Sequence, residues 1–219
     1  MKTIVCYGDS NTWGYMPKVQ RPTETWANRY PWGVRWTSVL QEKLGAGYRV
    51  EEEGVNGRTT AFDDPLAGFR NGLDAIDTTL LAKFPVDMVV LMLGTNDTKE
   101  FLGMPAWAIA KGAQLLIERI QNGGYAHDGG APEILLVAPI KLNNAITEGW
   151  LAEEFGPSSL DKDAQLARYY LKVAEETGVH FFNAAEFIEA DPADGVHMNN
   201  AGHAVMAEKI YEQVKNIIG

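Results

Sequence analysis

The sequence predicts an α/β fold of three layers, in which a five-stranded, mainly parallel sheet lies between two layers of helices. Five short apolar segments have the character of strands, and three of them are nearly continuous apolar runs, as is typical of strands covered on both faces. Helical patterns alternate with these segments, which favours βαβ units with right-handed crossovers. The predicted strands are residues 3–7, 48–52, 87–93, 133–138 and 179–182.

Four segments between and after the predicted strands show helical periodicity. The pair Ser158-Ser159 is a good start signal for the third of them, and Gly178 is a good residue to follow its last turn. The predicted helices are residues 36–44, 106–121, 160–177 and 200–218.

Three connections are unusually long and are predicted as loops. They span residues 15–33, 62–77 and 141–157, and the first is rich in tryptophan and tyrosine. Ligands of open α/β sheets bind beyond the carboxyl ends of the strands. Loops that leave those ends are therefore the candidate walls of a functional site.

Composition limits the classes of partner and compartment. The chain has 219 residues and a net charge of −10, which disfavours nucleic acid as a partner. With no repeats and no linker-like stretch, residues 1–219 are predicted to form a single domain. No apolar run approaches the ~18 residues of a membrane span, and no secretory signal pattern is present. One cysteine, Cys6, precludes an intrachain disulfide. We therefore expect a cytoplasmic protein with no membrane partner.

Four short polar segments carry the candidate chemistry, and each lies at a predicted strand end or just before a helix. Ser10 follows the first strand, and it could be a nucleophile or a helix cap. Gly57 follows the second strand and could offer a backbone N–H to an oxyanion, whereas Asn96 follows the third and could offer a side-chain amide.

The fourth segment reads Asp194-Gly195-Val196-His197. A carboxylate three residues before a histidine can fold back onto its Nδ1–H through a tight turn, which leaves Nε2 as a base. Asp191, six residues before the histidine, is a second candidate for the acid, and the spacing and the glycine favour Asp194.

Together these groups form the set that acyl transfer requires: a nucleophile, an oriented base and donors for an oxyanion. The sequence contains no phosphate-binding, dinucleotide-binding or metal-ligand motif, so no cofactor and no metal are expected. Gly-x-Ser-x-Gly is also missing around Ser10, which argues against an α/β-hydrolase. His127, His180 and His203 are interpreted as non-catalytic, and Cys6 as a buried strand residue.

The four segments resemble the blocks of the SGNH (GDSL) hydrolases, in family order and over nearly the whole chain. The resemblance implies a flavodoxin-like fold, Ser10 as nucleophile, His197 as base and Asp194 as its partner. It also implies an oxyanion hole formed by the N–H groups of Ser10 and Gly57 and by the Asn96 side chain. The first block departs from the family pattern, because Asn11 stands where the family has leucine.

A narrower likeness, to the arylesterase/acyltransferase branch, lies in residues 9–14, 52–54, 58–60 and 93–99. It implies a small-molecule ester substrate, preferentially an acetyl ester, acyl transfer to alcohols and a homo-oligomer. Asn11, Trp13 and Tyr15 are predicted to line the substrate pocket, and the aromatic residues of loop 15–33 could line the pocket or contact another subunit. A carbohydrate O-acetylesterase is the alternative enzyme, and a non-catalytic carbohydrate- or partner-binding module is the alternative of another class.

Overall fold

The computed structural model describes residues 1–23 and 25–219, and the side chains of all of these except Thr25 and Trp26. Its helices and strands alternate along the chain, and several short 3₁₀ turns lie between them. The strands are β1 (Lys2–Gly8), β2 (Tyr48–Gly54), β3 (Met88–Met92), β4 (Glu133–Ala138) and β5 (His180–Asn183). The α-helices are α1 (Ser10–Trp13), α2 (Trp36–Leu44), α3 (Gly72–Ala82), α4 (Ala106–Asn122), α5 (Pro157–Thr177) and α6 (Asn200–Ile218).

The five strands form one parallel sheet in the order β2-β1-β3-β4-β5. β1 lies between β2 and β3, with Cys6 opposite Glu52 on one side and Val90 on the other. The predicted five-stranded α/β fold is confirmed, and the sheet is parallel throughout.

Each face of the sheet is covered by its own apolar cluster. On one face, Val5 and Leu91 from the strands pack with Leu80 of α3, Leu116 of α4 and Leu166 of α5. Because successive strand residues point to opposite faces, their neighbours serve the second cluster. There Ile4, Cys6 and Val90 pack with Trp36 of α2 and Ile210 of α6. These two clusters produce the three-layer arrangement, and they account for the near-continuous apolar runs in the strands.

The helix prediction differs from the structure in three places. The connection 62–77 was predicted as a loop, but α3 begins within it at Gly72, where the Asn71 side chain accepts a hydrogen bond from the N–H of Leu73. Helix α5 begins at Pro157 rather than at residue 160, since proline is favoured in the first helical turn. The short helix α1 begins at Ser10, directly after β1, where the sequence predicts the start of a helical turn but not its extent.

The strand order places a crevice at the carboxyl ends of β1 and β3. The chain leaves β1 toward β2 on one side, whereas the later strands are added on the other side of β1. Crevices of this kind are where open α/β sheets bind ligands. The segments that follow β1, β2 and β3 all begin at this edge of the sheet.

Candidate active site

Ser10 is the first residue of α1 and lies at the carboxyl end of β1. The Asp9 side chain caps this helix by accepting a hydrogen bond from the N–H of Asn11, 2.9 Å away. The cap is thus Asp9, and the Ser10 hydroxyl is available for other contacts. As the first residue of a helix, Ser10 also has an N–H without an acceptor inside that helix.

His197 and Asp194 extend a hydrogen-bonded chain from the Ser10 hydroxyl. His197 Nε2 lies 2.9 Å from Ser10 Oγ, and His197 Nδ1 lies 2.8 Å from Asp194 Oδ2. The three residues come from the two ends of the sequence, and all are at least 94% buried. This geometry suits proton transfer from a hydroxyl to an imidazole that a carboxylate orients.

Asp194 is held so that it stays charged. Its Oδ1 accepts hydrogen bonds from the N–H groups of Val196 and His197, both 3.0 Å away. Burial favours the neutral acid, but the hydrogen bond and charge of His197 and the backbone N–H groups outweigh it and hold the pKa of Asp194 below its usual value. Asp191 is directed elsewhere, toward the N–H of Ala193 and the side chain of Asn199.

Gly57 and Asn96 lie beside Ser10 at the ends of β2 and β3, and both line the same cavity as Ser10. Gly57 has φ +79°, a conformation that glycine adopts without strain. Asn96 Nδ2 donates to the backbone oxygen of Arg58 at 3.0 Å, and it lies 3.5 Å from Asp9 Oδ2. The Arg58 bond orients the amide, and the long contact with Asp9 leaves its second N–H weakly engaged.

Buried charged groups join the three segments to one another. The Arg58 guanidinium donates to the backbone oxygen of Gly8 at 3.0 Å and lies over the Tyr7 ring, 4.0 Å from its centre. The Asp97 carboxylate accepts hydrogen bonds from the N–H and the hydroxyl of Thr60. Burial raises the pKa of Asp97 to about 6 and that of Asp9 likewise to about 6. These supporting roles of Arg58, Thr60 and Asp97 were not predicted from the sequence.

A cavity of about 300 Å³ opens above Ser10 and His197. Connection 141–157 supplies much of its wall, and connection 62–77 supplies another part. Neither set of residues was named from the sequence, although the length of the loops at the carboxyl strand ends was the signal that marked them. The lining residues from these two connections are Ala67, Arg70, Trp150, Leu151, Glu154 and Phe155.

Of the three residues predicted to line the pocket, the structure places only Tyr15 in the cavity wall. The Tyr15 ring packs on the His197 ring with a centroid distance of 4.4 Å. The prediction for Asn11 is wrong because its side chain is 2% exposed and bonds to the backbone of Val196 and Met198. The prediction for Trp13 is wrong because its ring packs against the Arg29 guanidinium, outside the lining of the cavity.

The other described aromatic residues of loop 15–33 lie in different surroundings. Trp32 is 56% exposed, and Tyr30 makes an edge contact with the buried ring of His203. The side chain of Trp26, part of the predicted aromatic cluster, lies outside the described residues. His203 is fully buried, and burial lowers its pKa to about 4.

The remaining two histidines lie away from the crevice. His180 is at the start of β5 and contacts Glu133, and His127 is exposed. Over residues 1–23 and 25–219, no group of three or more His, Cys, Asp or Glu side chains is arranged to hold a metal ion. None of the helices in those ranges combines the length and apolar character that crossing a bilayer requires.

The chain is similar to one protein family and to several solved structures. The profile of the GDSL-like lipase/acylhydrolase family matches residues 6–205. Among solved structures, the chain is similar to Est24, a carbohydrate acetylesterase from Sinorhizobium meliloti, at 32% identity and a TM-score of 0.92. It is similar to the M. smegmatis aryl esterase at 35% identity and a TM-score of 0.92. Both matches cover 100% of each chain.

A second carbohydrate acetylesterase family member from Sinorhizobium meliloti matches at 35% identity and a TM-score of 0.87, again over 100% of each chain. Among the curated proteins, none matches this chain. The profile covers most of the sequence, and the fold and the order of the four segments agree with it. The chain belongs to the GDSL-like lipase/acylhydrolase family, and it is a carboxylic ester hydrolase with the SGNH fold.

Proposed function

We propose that the enzyme hydrolyses short-chain, acetyl-type esters through an acyl intermediate on Ser10, with His197 as base and Asp194 as its partner. The observation that carries the proposal is the unbroken hydrogen-bonded chain from Ser10 Oγ through both nitrogens of His197 to Asp194, at 2.9 and 2.8 Å. This series of hydrogen bonds begins at Ser10, which lines a cavity of suitable size for a small ester.

The first chemical step forms a bond from Ser10 Oγ to the ester carbonyl carbon. His197 Nε2 takes the hydroxyl proton as this bond forms, and Asp194 stabilises the resulting imidazolium. His197 then returns the proton to the departing alcohol oxygen as the carbon–oxygen bond breaks. In the second half of the cycle, water attacks the acyl-serine with the same base, and the carboxylic acid leaves.

Three donors are proposed to hold the negative charge that develops on the carbonyl oxygen: the N–H groups of Ser10 and Gly57 and the second N–H of Asn96. Ser10 N–H is unpaired within α1, and Asn96 is already oriented by its bond to Arg58. Donors fixed before the reaction stabilise the transition state without a reorganisation cost, and the loss of one typically lowers kcat by ~10²–10³.

The acyl preference is proposed from the size and the lining of the cavity. Its volume of about 300 Å³ is at the lower end of the range for ligand sites. Tyr15 packs on the His197 ring, and Trp150, Leu151 and Phe155 also line the cavity. A short acyl group fits beside Ser10, whereas a long chain would need these side chains to move.

Replacing Ser10 by alanine tests the proposal directly. We expect Ser10→Ala to lower kcat for p-nitrophenyl acetate by about 10⁴-fold or more, because the acyl intermediate can no longer form. Circular dichroism and thermal unfolding should match the wild type, and a fluorophosphonate reagent should label the wild type only. Ser158→Ala is the matched control, because Ser158 is half-buried and its hydroxyl contacts Glu100 outside the cavity lining. Retention of activity in a purified Ser10→Ala sample would exclude Ser10 as the nucleophile.

We also propose acyl transfer to alcohols as a side activity. Ser10 and His197 are each only 6% exposed, and apolar side chains line the approach to them. An alcohol that packs on this lining can compete with water for the acyl-serine. Hydrolysis and transfer products from phenyl acetate, measured at rising concentrations of added benzyl alcohol, test this, and formation of acetic acid alone would contradict it.

Carbohydrate O-acetylesterase activity is the second candidate. Two neighbours at 32% and 35% identity over the whole chain are described as carbohydrate acetylesterases. Comparison of kcat/KM for an acetylated sugar and for phenyl acetate separates the two candidates, since the attacked acetyl group is the same and only the alcohol differs.

We propose further that the enzyme is a cytoplasmic homo-oligomer. Several large apolar side chains are exposed, among them Trp32 at 56%, Phe69 at 102% and Trp107 at 57%. Exposed apolar groups of this size are common at subunit contacts. Light scattering coupled to size exclusion measures the assembly, and cell fractionation tests the location.

A further inference from the structure

Three cationic side chains line the cavity beside Ser10, and two of them are already paired with carboxylates. Lys99 Nζ lies 2.9 Å from both Asp64 and Glu154, and its side chain is 7% exposed. Arg21 lies 3.7 Å from Glu154, with 71% of its own side chain exposed to solvent. Lys99 is thus neutralised, and Arg21 is a solvated residue at the rim.

Arg70 differs from both because it makes no ion pair within the described ranges 1–23 and 25–219. Its guanidinium donates one hydrogen bond, from Nη1 to the backbone oxygen of Gly68 at 3.1 Å. A guanidinium has five N–H donors, so most of those of Arg70 are available. Asp63 and Asp74 line a neighbouring depression together with Arg70, but Asp63 accepts a hydrogen bond from Asn71 instead.

The position of Arg70 relative to the proposed oxyanion hole is fixed by the backbone. Thr59, two residues after Gly57, donates from its N–H to the Arg70 backbone oxygen at 2.9 Å. The Thr59 hydroxyl donates to the backbone oxygen of Phe62 at 2.5 Å and lies 3.1 Å from the Arg70 oxygen. The guanidinium then lies over Gly57: Arg70 Nε is 3.5 Å from the place where a β-carbon on Gly57 would stand.

We propose that Arg70 binds an anionic group of the substrate, so that the preferred substrates are esters that carry a carboxylate a few bonds from the scissile carbonyl. This proposal rests on the proposed function of the Ser10 site. A carbonyl oxygen at the Gly57 N–H and a carboxylate on the Arg70 fork would each be within hydrogen-bonding distance, about 3 Å, of their donors. The short distance between these donors limits the separation of the two groups in the substrate.

The overall charge of the protein makes such a cation necessary for an anionic substrate. The net charge of −10 repels anions, so a carboxylate must gain a local attraction when it enters the cavity. An arginine fork suits a planar carboxylate because it can form two parallel hydrogen bonds. Of the three cavity cations, Arg70 is the one without a carboxylate partner among the described residues, because Lys99 is held by Asp64 and Glu154 and Arg21 lies against Glu154.

Two matched pairs of esters test the proposal and show which part of the substrate carries the charge. The anion is on the alcohol side in 4-acetoxybenzoate, whose methyl ester is the neutral partner. It is on the acyl side in monomethyl succinate, whose neutral partner is methyl butyrate. The measured quantity is the ratio of kcat/KM for the anionic ester to kcat/KM for the neutral one.

In the wild type we expect this ratio to exceed one for at least one pair. Arg70→Gln should lower that ratio about tenfold, mainly through KM, and Arg70→Lys should retain part of it. Arg168→Gln removes the same charge from the exposed face of α5 and should leave the ratio at the wild-type value. Added salt should also reduce the ratio, because Arg70 is only half-buried.

Equal falls of kcat/KM for both members of each pair, or no change in either ratio, would overturn the proposal. A binding measurement separates this failure from failure of the proposed function. Titration of 4-acetoxybenzoate and of monomethyl succinate into Ser10→Ala and into Ser10→Ala/Arg70→Gln needs no turnover, and the second protein should bind the preferred anion about tenfold more weakly. Equal affinities would refute the role of Arg70, whereas inactivity of the wild type on all four esters would refute the ester function alone.

Discussion

At the scale of single residues, Asn11 shows how Ser10 and His197 are held in position relative to each other. Its side chain donates to the backbone oxygen of Val196 at 3.1 Å and accepts from the N–H of Met198 at 2.9 Å. The two contacted peptide groups flank His197. One buried carboxamide, next to Ser10 in sequence, therefore fixes the backbone of the catalytic base on both sides.

Replacing Asn11 by leucine should loosen the base. Asn11→Leu leaves two buried polar groups without partners, and we expect a loss of about 2 kcal/mol or more in the free energy of unfolding. We also expect kcat for p-nitrophenyl acetate to fall about tenfold with little change in KM, because His197 loses its fixed position relative to Ser10. Urea unfolding and steady-state kinetics measure the two effects.

The exposed Asn122→Leu is a control for the general cost of this substitution. A wild-type kcat in Asn11→Leu would show that the carboxamide does not position His197.

Site residues could be predicted where a local sequence pattern marks them. They could not be predicted where their contacts lie far away along the chain. Ser10, Gly57 and Asn96 each follow a strand, so their meeting at one sheet edge could be predicted. The role of Asn11 could not, because its partners lie 185 and 187 residues away, and a polar residue after a serine suggests a cavity lining equally well. Trp150 of the cavity wall carries no local signal beyond the length of its loop.

At the scale of elements, the loop before α6 is shaped by contacts on two sides. Asn11 of α1 holds one side, and connection 141–157 holds the other, where the N–H of Asn143 donates to the backbone oxygen of Gly195 at 3.0 Å. Gly195 has φ +77°, and a β-carbon there would collide with the backbone of Ile146. The glycine both permits the turn and allows the close approach of the neighbouring loop.

A pair of glycine substitutions separates these two requirements. Gly178, at the end of α5, has a similar φ of +72°, but a β-carbon there would meet nothing within 4 Å. Gly178→Ala should cost about 1–2 kcal/mol of backbone strain. Gly195→Ala should cost a further 1–3 kcal/mol, roughly, from the overlap with Ile146, and should also lower kcat.

Chemical denaturation of both variants and assays with p-nitrophenyl acetate give the comparison. Equal stabilities of Gly178→Ala and Gly195→Ala would mean that the loop moves aside without cost, and the proposed support of Asp194 and His197 by connection 141–157 would then be wrong.

The bounds of a helix or strand could be predicted from the sequence where its apolar pattern is strong. β4 and the helices α2 and α6 have the predicted bounds. β4 is a continuous apolar run that is buried from Ile134 to Ala138, whereas buried and more exposed positions are interspersed in the two helices. Helix α3 was missed because it begins at Asn71-Gly72, and asparagine followed by glycine usually indicates a turn. Here the asparagine is a helix cap, which its contact with Leu73 reveals only in the folded chain.

At the scale of the whole molecule, two apolar clusters enclose the sheet, and several carboxyl groups are buried at its carboxyl edge and behind the cavity walls. Asp163 of α5 is a half-buried carboxyl group that accepts a hydrogen bond from the N–H of Leu142 at 2.9 Å. Burial raises the pKa of Asp163 to about 7, with the Leu142 bond and the charge of Lys141 acting in the opposite direction. Because the pKa of Asp163 is raised in the folded state, the stability of the fold depends on pH. Leu142, the partner of Asp163, belongs to connection 141–157, which lines the cavity.

The sign of this dependence follows from the two pKa values of Asp163. In the unfolded chain its pKa is about 3.9, so between about pH 4 and pH 7 the native state binds a proton that the unfolded state does not. The contribution of Asp163 is therefore fully present below pH 4 and is lost as the pH rises toward 7. A rise of the Asp163 pKa from about 3.9 to about 7 would correspond to roughly 4 kcal/mol in the free energy of unfolding. We expect about half of this because the side chain is partly exposed.

Asp163→Asn removes the titration and keeps an oxygen that can accept from the Leu142 N–H. The stability of the variant relative to the wild type should be about 1.3 kcal/mol higher at pH 8 than at pH 5, because about two thirds of the titration lies between these values; urea unfolding at both pH values measures it. Asp161→Asn, on the same helix and exposed, is the control and should show no such difference. The same relative stability of Asp163→Asn at both pH values would mean that the Asp163 carboxylate is solvated in the native state, so that α5 does not couple pH to the cavity wall.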